Sequence, residues 1–186
     1  MSAVREAVQV ALAQIDHTPE PMSYRELLIG GKRPVKLIGR ERERTFKNLD
    51  HVQWDGSGPL SFADDTFDEI HCYHQLQRMG RQGDFVTFFA QVSELWRLLK
   101  HNALLCLTVP SPVSDWLWGD PGHTRCISMQ TITYLQQPEY DKQMDVTSMV
   151  DYRHIYKADF DSEFLQDDHR ELRIILRAVK PSRCSI

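Results

Sequence analysis

This sequence contains no CxxC pair, no long apolar run and no excess of positive charge. Its four cysteines, Cys72, Cys106, Cys126 and Cys184, stand far apart, so neither a zinc-finger ligand set nor a disulfide framework is expected, and Cys72 and Cys106 fall inside apolar segments that read as core strands. No window approaches the roughly 18 consecutive apolar residues that a membrane span needs. The first residues, MSAVREAVQVALAQID, are interrupted by Glu6, Gln9, Gln14 and Asp16 and are followed by no small-residue cleavage site, so they read as an amphipathic helix, not a secretory signal. Reduced thiols and no leader are the expectation for a cytoplasmic chain. The 26 acidic residues outnumber the 22 basic ones, for a formal charge of −4, which argues against affinity gained mainly from duplex phosphates. No G-x-x-x-x-G-K-[ST] loop is present, and Gly56-Ser57-Gly58 lacks the spacing of a nucleophile elbow, which excludes the commonest routes to nucleotide and ester hydrolysis.

What is present is a globular composition, 41% hydrophobic and 26% charged, in a chain of 186 residues, enough for one domain of ordinary size. Residues 1–21 read as a helix and a polar linker ending in HTPEP, and residues 22–186 as a single domain. Within it, Leu27, Leu28 and Ile29, bounded by Gly30 and Gly31, predict a short buried strand that ends in a tight turn. The charged segment KRPVKLIGRERERTF offers at most a short helix. Phe46 to Leu49 is expected as a second strand ending at Asp50, and Phe67 to Tyr73 as a third. Phe85, Phe88, Phe89, Val92, Leu95, Trp96 and Leu99 recur at three- and four-residue steps, which predicts a helix over 84–100 with Asp84 as its N-cap. Ala103 to Val109 is a nearly uninterrupted apolar strand, central in the sheet, that Pro110 stops. Residues 110–128 read as a long structured loop, and 128–137 as a short helix. Met149 to Lys157 and Arg170 to Lys180 are expected as an antiparallel edge pair joined by an acidic connection. Strands alternating with helices and a closing hairpin predict an α/β architecture with a mostly parallel sheet, whose ligands bind beyond the carboxyl ends of the strands where strand order reverses.

The run LSFADDTFDEIHCYHQLQRM, continuing to FFAQVSELWRLLKHNALLCLTVP, resembles the S-adenosylmethionine-dependent methyltransferases, in which an LPF-x-D-x-x-FDxI strand precedes a helix ending E-x-x-R-x-L-K; here that ending is Glu94 to Lys100. The segment GDPGHTR, Gly119 to Arg125, is similar to a loop of small, phage-type methyltransferases. The resemblance implies a Rossmann-like, doubly wound sheet with an antiparallel strand near the C-terminus, S-adenosylmethionine as cofactor, and methyl transfer to a nitrogen or oxygen nucleophile. It further implies that Gly30 and Gly31 approach the methionine portion of the cofactor, that Asp50 receives the ribose hydroxyls, and that Asp55 lies near the adenine. His71 and His74 would then face the methyl group, and His123 and Arg125 the acceptor. The sequence departs from the family at three places: Gly30-Gly31-Lys32-Arg33 replaces G-x-G-x-G, Gln75-Leu76-Gln77-Arg78 replaces V-L-E-H, and Lys100-His101-Asn102-Ala103 replaces K-P-G-G.

Each of these residues also has a plainer reading. The glycine pair could serve only a turn, Asp50 could be a strand-end residue, and His123 with Arg125 could tie down their own loop. A zinc site at His71, Cys72 and His74 is not expected, because adjacent strand residues point to opposite faces and no second ligand pair follows. Trp116 and Trp118 could wall a substrate or cap the sheet edge. The altered glycine turn and the lost V-L-E-H keep open a non-catalytic binding or assembly module of the same fold. The methyl acceptor and the oligomeric state are not legible.

Overall fold

The computed structural model describes residues 24–31, 34–40 and 45–185. The expected N-terminal helix and linker, and Lys32 and Arg33, lie outside the described residues. Strands β1 (Glu26–Ile29), β2 (Leu49–Val52), β3 (Phe67–Tyr73), β4 (Leu99–Pro110), β5 (Phe160–Asp167) and β6 (Glu171–Ala178) form one sheet in the order β2-β1-β3-β4-β6-β5. The first four strands pair in parallel, and β6 runs against both β4 and β5. From β1 the chain builds outward to β2 on one side and to β3 and β4 on the other, the doubly wound, mostly parallel arrangement with an antiparallel C-terminal pair.

The covering helix is α1 (Phe85–Leu98), where Asp84 accepts a hydrogen bond from Thr87 N at 3.0 Å, one of the donors that a helix start leaves unpaired. Its buried stripe, Phe88, Phe89, Val92, Leu95 and Leu98, lies against Leu27, Ile29, Ile70, Cys72, Leu105 and Leu107 of the sheet. Each such side chain removed from water contributes about 1.5–3 kcal/mol, so this face supplies most of the cohesion. Asn102 carries the turn into the apolar part of β4 with φ 63, a backbone state that asparagine tolerates better than most residues. Three short helices follow: α2 (Asp115–Gly119) inside the expected loop, α3 (Met129–Thr133), capped by Ser128, and α4 (Gln137–Gln143). Among the described residues no helix is long and apolar enough to cross a membrane.

Two strands fall elsewhere than the sequence suggests. The second begins at Leu49, so Asp50 is inside it and not at its end. Phe46 turns its ring edge-on to His71, at 5.1 Å, and does not join the ladder. Residues 149–157 form no strand and are irregular, with a turn at 153–155: Tyr140 donates its hydroxyl proton to Val150 O at 2.6 Å and accepts from Tyr152 N at 2.7 Å, while Arg153 closes on Asp151. The edge strand is instead the acidic stretch from Phe160 to Asp167, whose Glu163 is 2.7 Å from Arg177 of β6.

Candidate active site

Because β1 to β4 are parallel and β6 is reversed, the ends of β1, β3 and β4 and the start of β6 share one rim, which brings Gly30, His74, Pro110 and Glu171 together there. Strand order reverses at β1, the place where such a sheet leaves a crevice. Gly30 (φ 71) and Gly31 (φ 74) both take the left-handed backbone that side chains resist. Their carbonyls are met from β2 and the residue after it: His51 Nε2 lies 2.7 Å from Gly30 O, and Gln53 Nε2 donates to Gly31 O at 3.1 Å. A Cβ on Gly30 would collide with the Gln75 side chain, so the glycine is what lets Gln75 lie over the turn.

One residue earlier in the chain, His74 leaves β3 with φ 52, a conformation that costs a residue with a side chain roughly 1–2 kcal/mol. Its N–H donates to Thr108 O at 2.7 Å, which fixes the strained position against β4. The ring Nε2 lies 2.6 Å from Glu171 Oε2, and Arg173 Nε donates to the other carboxylate oxygen at 2.6 Å. Burial pushes the Glu171 carboxyl up, but the bonds from His74 and Arg173 outweigh it and hold the group below the ordinary carboxylate range. An ionised Glu171 favours the tautomer with hydrogen on Nε2 and leaves Nδ1 as the proton acceptor. The pair opens on a cavity of about 340 Å³ lined also by Gln77, Arg78, Trp116 and His123. His123 Nδ1 is 3.2 Å from Leu117 O and its Nε2 3.5 Å from Asp120, which Arg78 holds at 2.6 Å. Gln77 is 1% exposed, yet among the described residues neither its amide nitrogen nor its amide oxygen has a partner.

The structure therefore brings His74 and His123 into one cavity and separates the other candidates from it. His71 is wholly buried on the opposite face of the sheet, with Nε2 3.1 Å from Glu69 and 3.4 Å from Glu26. Lys36 Nζ lies 2.6 Å from Glu26 and 2.8 Å from Glu69. Ligand atoms of Glu26, Glu69 and His71 fall within 4.8 Å of one another, the spacing of a metal set, but the Lys36 ammonium already takes the cation's place between the two carboxylates. Cys72 faces the helix side instead. Arg125 donates to Gln91 Oε1 at 3.1 Å and to the carbonyls of Arg81 and Asp84 at 3.3 and 3.2 Å, with its guanidinium over the Phe88 ring. It clamps the start of α1 and lines a separate cavity of about 220 Å³. Asp50 pairs with Leu27 in the ladder, short of the rim, and its carboxylate lies 2.6 Å from Arg25, which precedes β1 at the amino ends of the strands. Asp55 follows β2 on the rim side; it is exposed and accepts from Ser57 N and Oγ, bonds that lower its pKa. Glu171 carries no signal in the sequence, since 97 positions separate the histidine from its carboxylate, and Gln77 enters there only as a departure from the family pattern.

No family model matches the chain, and no curated protein matches it. Among solved structures the chain is similar to an S-adenosylmethionine-dependent methyltransferase from Mesorhizobium loti, at 12% identity over 95% of this chain and 98% of that one, with a TM-score of 0.49. It is also similar to one from Archaeoglobus fulgidus, at 12% identity over 94% and 93%, with a TM-score of 0.48.

Proposed function

We propose that the chain transfers a methyl group from S-adenosylmethionine to a nitrogen or oxygen nucleophile seated in the His74 cavity. The observation that carries this reading is the adjacency of the two halves of such a site: Gln75 lies over the left-handed glycine turn, and its chain neighbour His74 is the base held by Glu171. The cofactor supplies a methyl group on a positively charged sulfur, ready for in-line displacement.

The residues present fit that group with one reassignment. Gly30 and Gly31 give the backbone close access, and Asp55, kept ionised by Ser57, can accept from ribose hydroxyls or from the adenine amino group. The role expected of Asp50 passes to Asp55, because Arg25 engages Asp50 away from the rim. Gln75 must swing off Gly30 to admit the methionine end; among the described residues its amide has only a 3.4 Å bond to Tyr73 O to lose. His74 then takes the acceptor's proton, and Trp116 and His123, which line the same cavity, keep the nucleophile in line.

A second reading, a binding module without catalysis, draws on the same Gln75 side chain, which closes the glycine turn as it stands. Incubation of the purified chain and a cell extract with methyl-labelled S-adenosylmethionine separates the two. Label is expected in an extract component and should fall to background when S-adenosylhomocysteine is added in excess. Incorporation no higher than that of heat-inactivated protein would favour the module.

A further inference from the structure

Gln77 is the most unusual side chain of the cavity. Its amide is buried at the wall of the cavity while its backbone carbonyl is occupied, accepting from Thr124 N at 2.8 Å and Arg125 N at 3.2 Å, so that among the described residues the side chain keeps a donor and an acceptor both unused. A buried amide without partners is costly unless something else meets it. The complement of a carboxamide is a planar edge that presents an acceptor beside a donor, the pattern glutamine reads on a nucleobase. Two further features of the cavity match the rest of a nucleotide. Trp116 is 76% exposed and presents a large aromatic surface, on which bases stack. Arg170, exposed at the same mouth, has no ion pair among the described residues, whereas neighbouring Arg78 and Arg173 are both paired. The cavity volume, about 340 Å³, is within the range of small-molecule sites, about 300–1,000 Å³.

From these features we infer that the acceptor is a nucleobase-type heterocycle, presented as a nucleotide and not within a duplex, with its edge on Gln77, its face on Trp116 and its phosphate at Arg170. This rests on the methyl-transfer reading: the heterocycle's nitrogen gains the carbon, the sulfur departs with the old bonding pair, and the proton released from nitrogen passes to His74. A peptide amide would also satisfy Gln77, but it would leave the indole face and the Arg170 guanidinium unused. The net formal charge of −4 likewise suits a single nucleotide better than a polyanion.

The test is calorimetric titration of the full chain with AMP, CMP, GMP and UMP, alongside N-acetylglutaminamide and S-adenosylmethionine. One nucleotide should saturate, and Gln77→Met should weaken it roughly tenfold or more without lowering the melting temperature, because the orphan amide is lost with it. Trp116→Ala, at an exposed position where folding is not at risk, should weaken it as well, and Arg170→Ala should weaken the nucleotide but not its nucleoside. Saturation by the amide in place of any nucleotide, or no saturation by any nucleotide at millimolar concentration, overturns the proposal. S-adenosylmethionine binding without nucleotide binding overturns the substrate assignment alone; nucleotide binding without cofactor binding overturns the methyl-transfer reading on which it rests.

Discussion

Replacing Lys36 by methionine is expected to destabilise the fold by about 3–5 kcal/mol, the cost of leaving buried charge without its partner. Lys36, Glu26, Glu69 and His71 are 4%, 1%, 0% and 0% exposed, so water cannot take over the pairing. The cluster is balanced when His71 is protonated, two cations against two carboxylates. Without the ammonium, two carboxylates would face a single imidazolium. For a domain of this size such a loss lowers the melting midpoint by roughly 10 °C. The double substitution Lys36→Met with Glu69→Gln should recover part of it, because it removes one charge of each sign. Urea denaturation measures both; a loss under about 0.5 kcal/mol, as for a solvated surface pair, would contradict the account.

The same cluster sets a pH dependence. Burial opposes the charge on His71, yet its surroundings, Tyr73 and Cys106 first and then the Glu26 carboxylate, hold its pKa well above the ordinary value of 6.5. For Glu26 and Glu69 burial is likewise outweighed, by bonds from His71 and Lys36, and both lie below their ordinary 4.5. A raised histidine pKa contributes fully below 6.5 and loses that contribution as pH rises towards the folded value. Depressed carboxylates contribute fully above 4.5 and lose it as pH falls. Stability from the cluster is therefore greatest between these two values, and His71→Phe should flatten the decline on the alkaline side.

His74→Asn is expected to slow methyl transfer by about 10² to 10⁴-fold, the usual contribution of a positioned general base. Asparagine is chosen because it tolerates the left-handed backbone that His74 occupies, so the turn survives while the base is lost. Glu171→Gln keeps the imidazole but removes the charge that orients it, and should give a smaller loss. Single-turnover rates on the acceptor identified by label transfer measure both effects, with cofactor affinity unchanged in each variant. An unaltered rate for His74→Asn would remove the base from the mechanism and leave the 2.6 Å contact to Glu171 as a structural tie.

How much of this was legible in the sequence depended on whether the signal was local. The third strand falls at Phe67–Tyr73 as its apolar pattern predicts, and Asp84 caps α1 because capping needs only the next three residues. The acidic composition of Phe160–Asp167 concealed β5, since an edge strand keeps one face in water and meets its charges with Arg177 and Arg183 of distant segments. The shift of β2 by three residues has a similar origin: its register is set by pairing with β1, and the apolar Phe46 is drawn to the buried charge cluster on the other face. At the site, His74 and His123 were recognisable as candidates, but nothing local distinguished them from His71, whose side chain alternation sends it to the far side of the sheet. In the sequence Gln77 reads as a lost acid, and only the fold shows that its amide is buried without a partner among the described residues.

The central claim is that the rim of Gly30, Gly31 and Asp55 holds an adenosyl sulfonium ligand. A thermal melt with and without S-adenosylmethionine tests it most directly, on the native chain, Asp55→Ala and Asp50→Ala. At a hundredfold excess over the dissociation constant the ligand adds about 2.7 kcal/mol, a rise of roughly 5–10 °C. The account predicts that rise for the native chain and for Asp50→Ala relative to its own unliganded melt, and a much smaller one for Asp55→Ala. No rise for the native chain at millimolar cofactor, or a rise lost in Asp50→Ala and kept in Asp55→Ala, would contradict it.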